Sequence, residues 1–109
     1  MTDTPEIDID RLARARADGA TVVDVREPSE YVAGHVPEAL LVPMGQLPSR
    51  LGELDPARPV YVVCATGNRS LAMARLLRSA GYEGYSVAGG TAAWARSGRP
   101  IHTGMTVRG

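Results

Sequence analysis

The stretch Val60-Tyr61-Val62-Val63-Cys64-Ala65-Thr66-Gly67-Asn68-Arg69-Ser70 decides the reading of this chain. Its first four residues are apolar without interruption, as expected of a central parallel strand covered on both faces. Small and polar residues follow. Beyond them Met73, Leu76, Leu77 and Ala80 mark one face of a helix, with Arg75 and Arg78 on the other and Gly81 at its end. The unit is a strand, a short loop and a helix, with the only cysteine at the hinge.

The same alternation continues on either side. Asp8 is placed to cap a helix carrying Leu12 and Ala13 inward and stopped by Gly19. Thr21-Val22-Val23-Asp24-Val25 is a short β-branched strand, and Pro28 opens a brief helix through Tyr31 and Val32 that Gly34 closes. Leu40-Leu41-Val42 reads as a second buried strand ended at Pro43, and Leu47, Leu51 and Leu54 recur at helical spacing. Tyr85-Ser86-Val87 is a further strand. Gly89-Gly90-Thr91 turns into a last helix bearing Trp94, stopped by Gly98, and a loose tail is expected after Pro100. Strands alternating with helices predict an α/β fold: an open, mostly parallel central sheet with helices on both faces.

At 109 residues the chain is expected to be one domain, with a core over about 8–98 and a tail over 99–109. An apolar share of 44% with 22% charged residues describes an ordinary globule, and no apolar run is long enough to cross a bilayer. The acidic start, Met1 to Glu6, lacks the layout of a signal peptide, so a cytoplasmic location is expected. Twelve arginines balance twelve acidic residues, which leaves no net field to attract nucleic acid or a membrane. A single cysteine excludes an intrachain disulfide and a cysteine-built metal cage, and no metal site is expected.

A lone cysteine is by default a small buried hydrophobe. Here its surroundings point elsewhere. In an open parallel sheet, ligands bind beyond the carboxyl ends of the strands, and Cys64 stands at that end. A helix begins a few residues later, and its free N–H groups and partial positive charge favour an anion. Ala65 and Gly67 let the backbone curl so that successive N–H groups converge as a nest. Such a setting favours the thiolate, the nucleophilic form. Arg69 adds a fork of donors suited to a sulfonate or phosphate, and no acidic residue lies between Cys64 and Ser70.

Three blocks together resemble the rhodanese family in its single-domain form. They are Asp24-Val25-Arg26-Glu27-Pro28-Ser29-Glu30-Tyr31 leading to Gly34-His35-Val36-Pro37-Glu38-Ala39, the loop from Cys64 to Ser70, and Ala88-Gly89-Gly90 followed by Trp94. The resemblance runs from Asp8 to about Gly98. It implies a sulfurtransferase in which Cys64 takes sulfane sulfur from a donor such as thiosulfate, becomes a persulfide, and passes the sulfur to cyanide or to a low-molecular-weight or protein thiol. The binding residues it implies are Ala65, Thr66, Gly67, Asn68, Arg69 and Ser70. No metal or organic cofactor is implied. Two departures stand out: the family usually has glycine where Glu38 stands, and leucine where Ala88 stands.

The remaining polar residues are weighed against scaffold roles. Asp24 and Arg26, two apart on one strand, point to the same side. Arg26 can attract an anionic donor, but an ion pair with Glu30 or a bond to a neighbouring backbone group is the preferred reading. His35, between Gly34 and Val36-Pro37, reads as a turn residue rather than a base, and His102 as a bystander. Tyr31 and Trp94 read as packing residues. The hydroxyls of Thr66 and Ser70 can bond the loop backbone or the outer sulfur.

Two other functions share these features. Cell-cycle phosphatases and arsenate reductases of rhodanese-like fold place five residues between cysteine and arginine, whereas here four, Ala65 to Asn68, intervene. The tighter loop argues against an ester of phosphate. A binding module or persulfide carrier with little turnover of its own is the other alternative, although inactive domains of this fold typically lack the cysteine.

Overall fold

The computed structural model describes residues 5–105. Residues 1–4 of the acidic start and the far end of the expected tail, 106–109, lie outside them. Ten elements follow one another: β1 (Glu6–Ile7), α1 (Ile9–Ala17), β2 (Thr21–Asp24), α2 (Pro28–Ala33), β3 (Leu40–Leu41), a 3-10 helix (Leu47–Glu53), β4 (Val60–Val63), α3 (Asn68–Ser79), β5 (Gly84–Val87) and α4 (Gly90–Arg96). The five strands form one sheet in the order β1-β5-β4-β2-β3, parallel at every pairing. The expected α/β architecture is therefore the one the chain adopts.

The strand β4 lies at the centre, and all four of its residues are buried. Its side chains alternate between two apolar layers, as the pleat requires. Tyr61 and Val63 join Leu12 of α1, Tyr31 of α2 and Trp94 of α4 on one face. Val60, Val62 and then Cys64 join Leu47 of the 3-10 helix and Leu77 of α3 on the other. The alternation thus delivers the Cys64 side chain beneath α3.

Asp8 caps α1 as its sequence position suggests, with Oδ1 accepting the Arg11 N–H at 2.9 Å. Other expectations need correction. β1 is a strand with no local signal; it forms because Pro5 and Ile7 carbonyls accept the Ser86 and Ala88 N–H groups. The third strand is two residues long, lies at the sheet edge beside β2 alone, and leaves Leu40 exposed. The leucine-spaced segment winds as a 3-10 helix, with Pro48 at its start and Gly52 inside it. On α3 the buried positions are Ser70, Ala74 and Leu77; Met73 and Leu76 are half-buried, and Ala80 is an exposed terminal residue.

The described part of the segment after Pro100, residues 101–105, is fastened rather than loose. Trp94 Nε1 donates to the Pro100 carbonyl at 2.8 Å, and Gly104 N–H donates to Val32 O at 2.9 Å. Between them His102 and His35 form an antiparallel bridge through two backbone bonds of 3.0 and 2.9 Å. His102 is thus part of the scaffold through its main chain.

Glu38, where a glycine was expected, holds a left-handed φ of 69°. Such a backbone costs a residue with a Cβ roughly 1–2 kcal/mol. The one compensation in view is a 3.5 Å contact with Arg16, and the Glu38 side chain is 82% exposed, so that contact contributes little. Glu38→Gly is expected to relieve the strain and lose about half of the gain to chain entropy. Thermal unfolding should then rise by roughly 2–4 °C. Glu38→Ala, which keeps the strain, should show no rise.

Candidate functional site

β4 ends at Val63, and the chain curls through Cys64 to Gly67 before α3 begins at Asn68. Gly67 carries the curl at φ 119°, a backbone that L side chains rarely adopt. The turn points its N–H at the sulfur, 3.1 Å from Cys64 Sγ. The Ser70 hydroxyl, on the first turn of α3, lies 3.4 Å from the same sulfur. Cys64 itself is 1% exposed. Burial pushes its thiol pKa up, but the Ser70 hydroxyl and the N–H groups of Ser70, Gly67 and Thr66 outweigh burial and hold it below its ordinary value. The nest expected from the small residues of the loop is present.

The loop is fixed from behind by α4. Thr91 and Ala92 donate their N–H groups to the carbonyls of Cys64 and Ala65, at 2.9 and 3.1 Å. This approach needs Gly90, since a Cβ there would collide with the Cys64 carbonyl and come within 2.7 Å of Ala65 O. Thr66 and Asn68 face solvent at the rim, and Ala65 and Arg69 are half-buried.

Arg69 is engaged in a way the sequence did not indicate. Its Nη1 and Nη2 donate to Glu30 Oε1 and Oε2, both at 2.8 Å, across from α3 to α2. The guanidinium draws the Glu30 carboxyl pKa down to about 2, and the carboxylate raises that of Arg69. The loop lacks acidic residues of its own, yet an acidic one reaches its arginine from α2.

Arg26 does not pair with Glu30, and of the two scaffold partners weighed for it the neighbouring backbone group is the one it bonds. Its Nε and Nη2 grip both oxygens of the fully buried Asp24 at 2.9 and 2.8 Å, and Nη2 also donates to Gly34 O at 2.7 Å. The Arg26 N–H closes the knot on Asp24 Oδ1 at 3.1 Å. The pair ties the end of β2 to the end of α2, beside the cysteine loop, through the bond from Val25 N–H to Val63 O. His35 is 3% exposed, stacks on Tyr31 at 3.7 Å between ring centres, and places Nδ1 2.8 Å from Tyr31 O. It packs against Tyr31 of α2 just beyond the end of that helix.

Arg26, Glu30, Ala65 and Thr91 line one side of a cleft of about 350 Å³ next to the loop. A larger cavity, about 670 Å³, opens along the β3 edge and takes no residue from Cys64 to Ser70. Among the described residues no cluster of His, Cys, Asp or Glu is arranged to hold a metal ion, and no helix is long and apolar enough to cross a membrane.

A parallel α/β sheet with a cysteine nest at the end of its central strand defines the class. Residues 8–97 match the model of the rhodanese-like domain. The chain belongs to that family. It is 39% identical over 99 residues to a sulfurtransferase of Allochromatium vinosum, covering 88% of this chain and 92% of that protein. An HTH-type transcriptional regulator of Mycobacterium tuberculosis is 36% identical over 98 residues, covering 88% of this chain but 43% of the regulator. Among solved structures, a rhodanese-related protein of Thermoplasma volcanium superposes with a TM-score of 0.83 at 31% identity, covering 89% of this chain and 96% of that one. A thiosulfate sulfurtransferase of Pseudomonas aeruginosa gives 0.86 at 29% identity, covering 96% of this chain and 21% of that one.

The Glu30–Arg69 bridge makes a pH prediction. Glu30 titrates near 2 when folded and near 4.5 otherwise, so the bridge stabilises fully above pH 4.5 and is lost as pH falls through 2. Both side chains keep about a third of their surface in water, at 33% and 34% exposure. The contribution is therefore discounted to on the order of 1 kcal/mol. Denaturant unfolding of wild type and Glu30→Gln should differ by that amount at pH 6 and converge by about pH 2.

Proposed function

We propose that the protein is a sulfurtransferase in which Cys64 carries sulfane sulfur as a persulfide. The observation that carries the reading is the buried Sγ met by the Gly67 N–H at 3.1 Å, in a loop whose donors lower the thiol pKa. The name of the Allochromatium relative supports the transferase class. The thiolate attacks the outer sulfur of thiosulfate. The sulfur–sulfur bond of the donor breaks, and sulfite leaves with the electron pair. Cyanide or a thiolate then takes the terminal sulfur, and Cys64 departs as thiolate. The converging N–H groups serve both anions, the thiolate and the persulfide. The substrate-binding set is Ala65, Thr66, Gly67, Asn68, Arg69 and Ser70, within a single rhodanese unit and without metal or organic cofactor. Asp24, Arg26 and His35 support the loop from behind.

Loop length favours this reading over phosphate-ester hydrolysis, since only four residues separate Cys64 from Arg69.

Cys64→Ser should fold normally and lose thiosulfate-to-cyanide transfer, and wild type incubated with thiosulfate should gain one sulfur at Cys64 by mass spectrometry. Retention of substantial turnover by the serine variant would end the proposal. Arg69→Leu tests the sulfonate contact. Loss of one charge-assisted bond costs on the order of 1.5–3 kcal/mol, or roughly tenfold to a hundredfold in kcat/KM with thiosulfate. A persulfidated thiol donor, which has no sulfonate, should suffer much less. An equal loss with both donors would make Arg69 a tie to Glu30 and nothing more.

A further inference from the structure

Ser86 stands outside every role described so far. It lies on β5, fully buried, beside Val62 in the sheet register. Its hydroxyl oxygen is 2.7 Å from Ser70 Oγ, and among the described residues that is the only partner its side chain has. Ser70 Oγ in turn has three neighbours: Ser86 Oγ, the Gly67 carbonyl at 3.2 Å, and Cys64 Sγ at 3.4 Å.

We propose that Ser86 is a positioning residue for the Cys64 thiolate, acting through the single proton of Ser70. A hydroxyl has one proton and two lone pairs. The buried Ser86 proton has one acceptor, Ser70 Oγ, so Ser86 is the donor of that pair. The Ser70 proton is thereby kept from Ser86 and has two destinations, Gly67 O or Cys64 Sγ. While Cys64 is a thiol, its S–H points at Ser70 and the Ser70 proton rests on Gly67 O. When the thiol loses its proton, the Ser70 hydroxyl swings onto the sulfur, and Ser86 continues to fill the lone pair behind it. Gly67 O is not stranded by the swing, because it also accepts the Leu71 N–H at 3.1 Å. Without Ser86, the lone pair behind Ser70 is empty in a place water does not reach, and the hydroxyl is a poorer and less directed donor.

The inference rests on the reading of Cys64 as a reactive thiolate, and the experiment separates the two. The rate of iodoacetamide alkylation of this single cysteine, followed against pH, gives the thiol pKa in each variant. Wild type should titrate below the ordinary thiol value. A wild-type titration at or above that value overturns the thiolate reading and the proposal with it. Ser86→Ala should raise the pKa by about half a unit to one unit, lowering alkylation roughly threefold to tenfold at pH values below it. In the Ser70→Ala background the same substitution should shift nothing, because the relay is already broken. An unchanged pKa in Ser86→Ala, or an equal shift in both backgrounds, overturns the proposal while leaving the thiolate reading intact. The double variant replaces both hydroxyls with matched apolar groups, so it remains folded for comparison if the single serine variant is too unstable to titrate. It too should then show the pKa of Ser70→Ala alone, and a further rise overturns the proposal.

Discussion

The close approach of two backbones, α4 upon the cysteine loop, is the constraint around which the rest is arranged. Cys64 and Ala65 turn their carbonyls toward the first turn of α4 and their neighbours' N–H groups toward the sulfur. A loop whose carbonyls were left unpaired in this buried place would lose much of its stability. The helix supplies the missing donors, and it comes near enough only because residue 90 has no side chain. The shape of the loop at Cys64 therefore depends on a glycine in a different helix.

The electrostatics of the loop follow from the same geometry. Desolvation alone would make Cys64 an inert thiol. Aimed amides and one hydroxyl reverse that, and they do so without a formal charge in the first contacts of the sulfur. The formal charge carried by the first turn of α3, Arg69, is moderated by Glu30. Fixed dipoles hold the anion, and a tied guanidinium adds to the field from the rim.

Much of this was legible in the chain. The unbroken run of β4 and the helical period of α3 are local patterns, and they located the loop because each element announces itself without its neighbours. Gly67 marked the curl, and Gly89 and Gly90 marked the turn into α4, though not its approach to the loop. The parts that were not legible are those made by distant pairing. Glu6-Ile7 has too little length to show a period and becomes a strand only against β5. Glu30 lies thirty-nine residues from Arg69, and nothing near either names the other. Ser86 sits in a strand as any small polar residue does, and its significance comes from α3 folding over it. His102 was read from its side chain, whereas its part is played by its main chain.

The strand order also ties the cysteine loop to contacts that span nearly all of the described residues. β1 pairs with β5, so Ile7 waits for Val87 to leave the ribosome before the sheet has its second edge. The cysteine loop waits longer still, for the N–H groups of Thr91 and Ala92. Contacts so far apart in sequence form late and slowly. A nascent chain that already contains Cys64 thus lacks the N–H groups that hold the carbonyls of its loop. The loop takes its folded shape only when α4 has docked upon it.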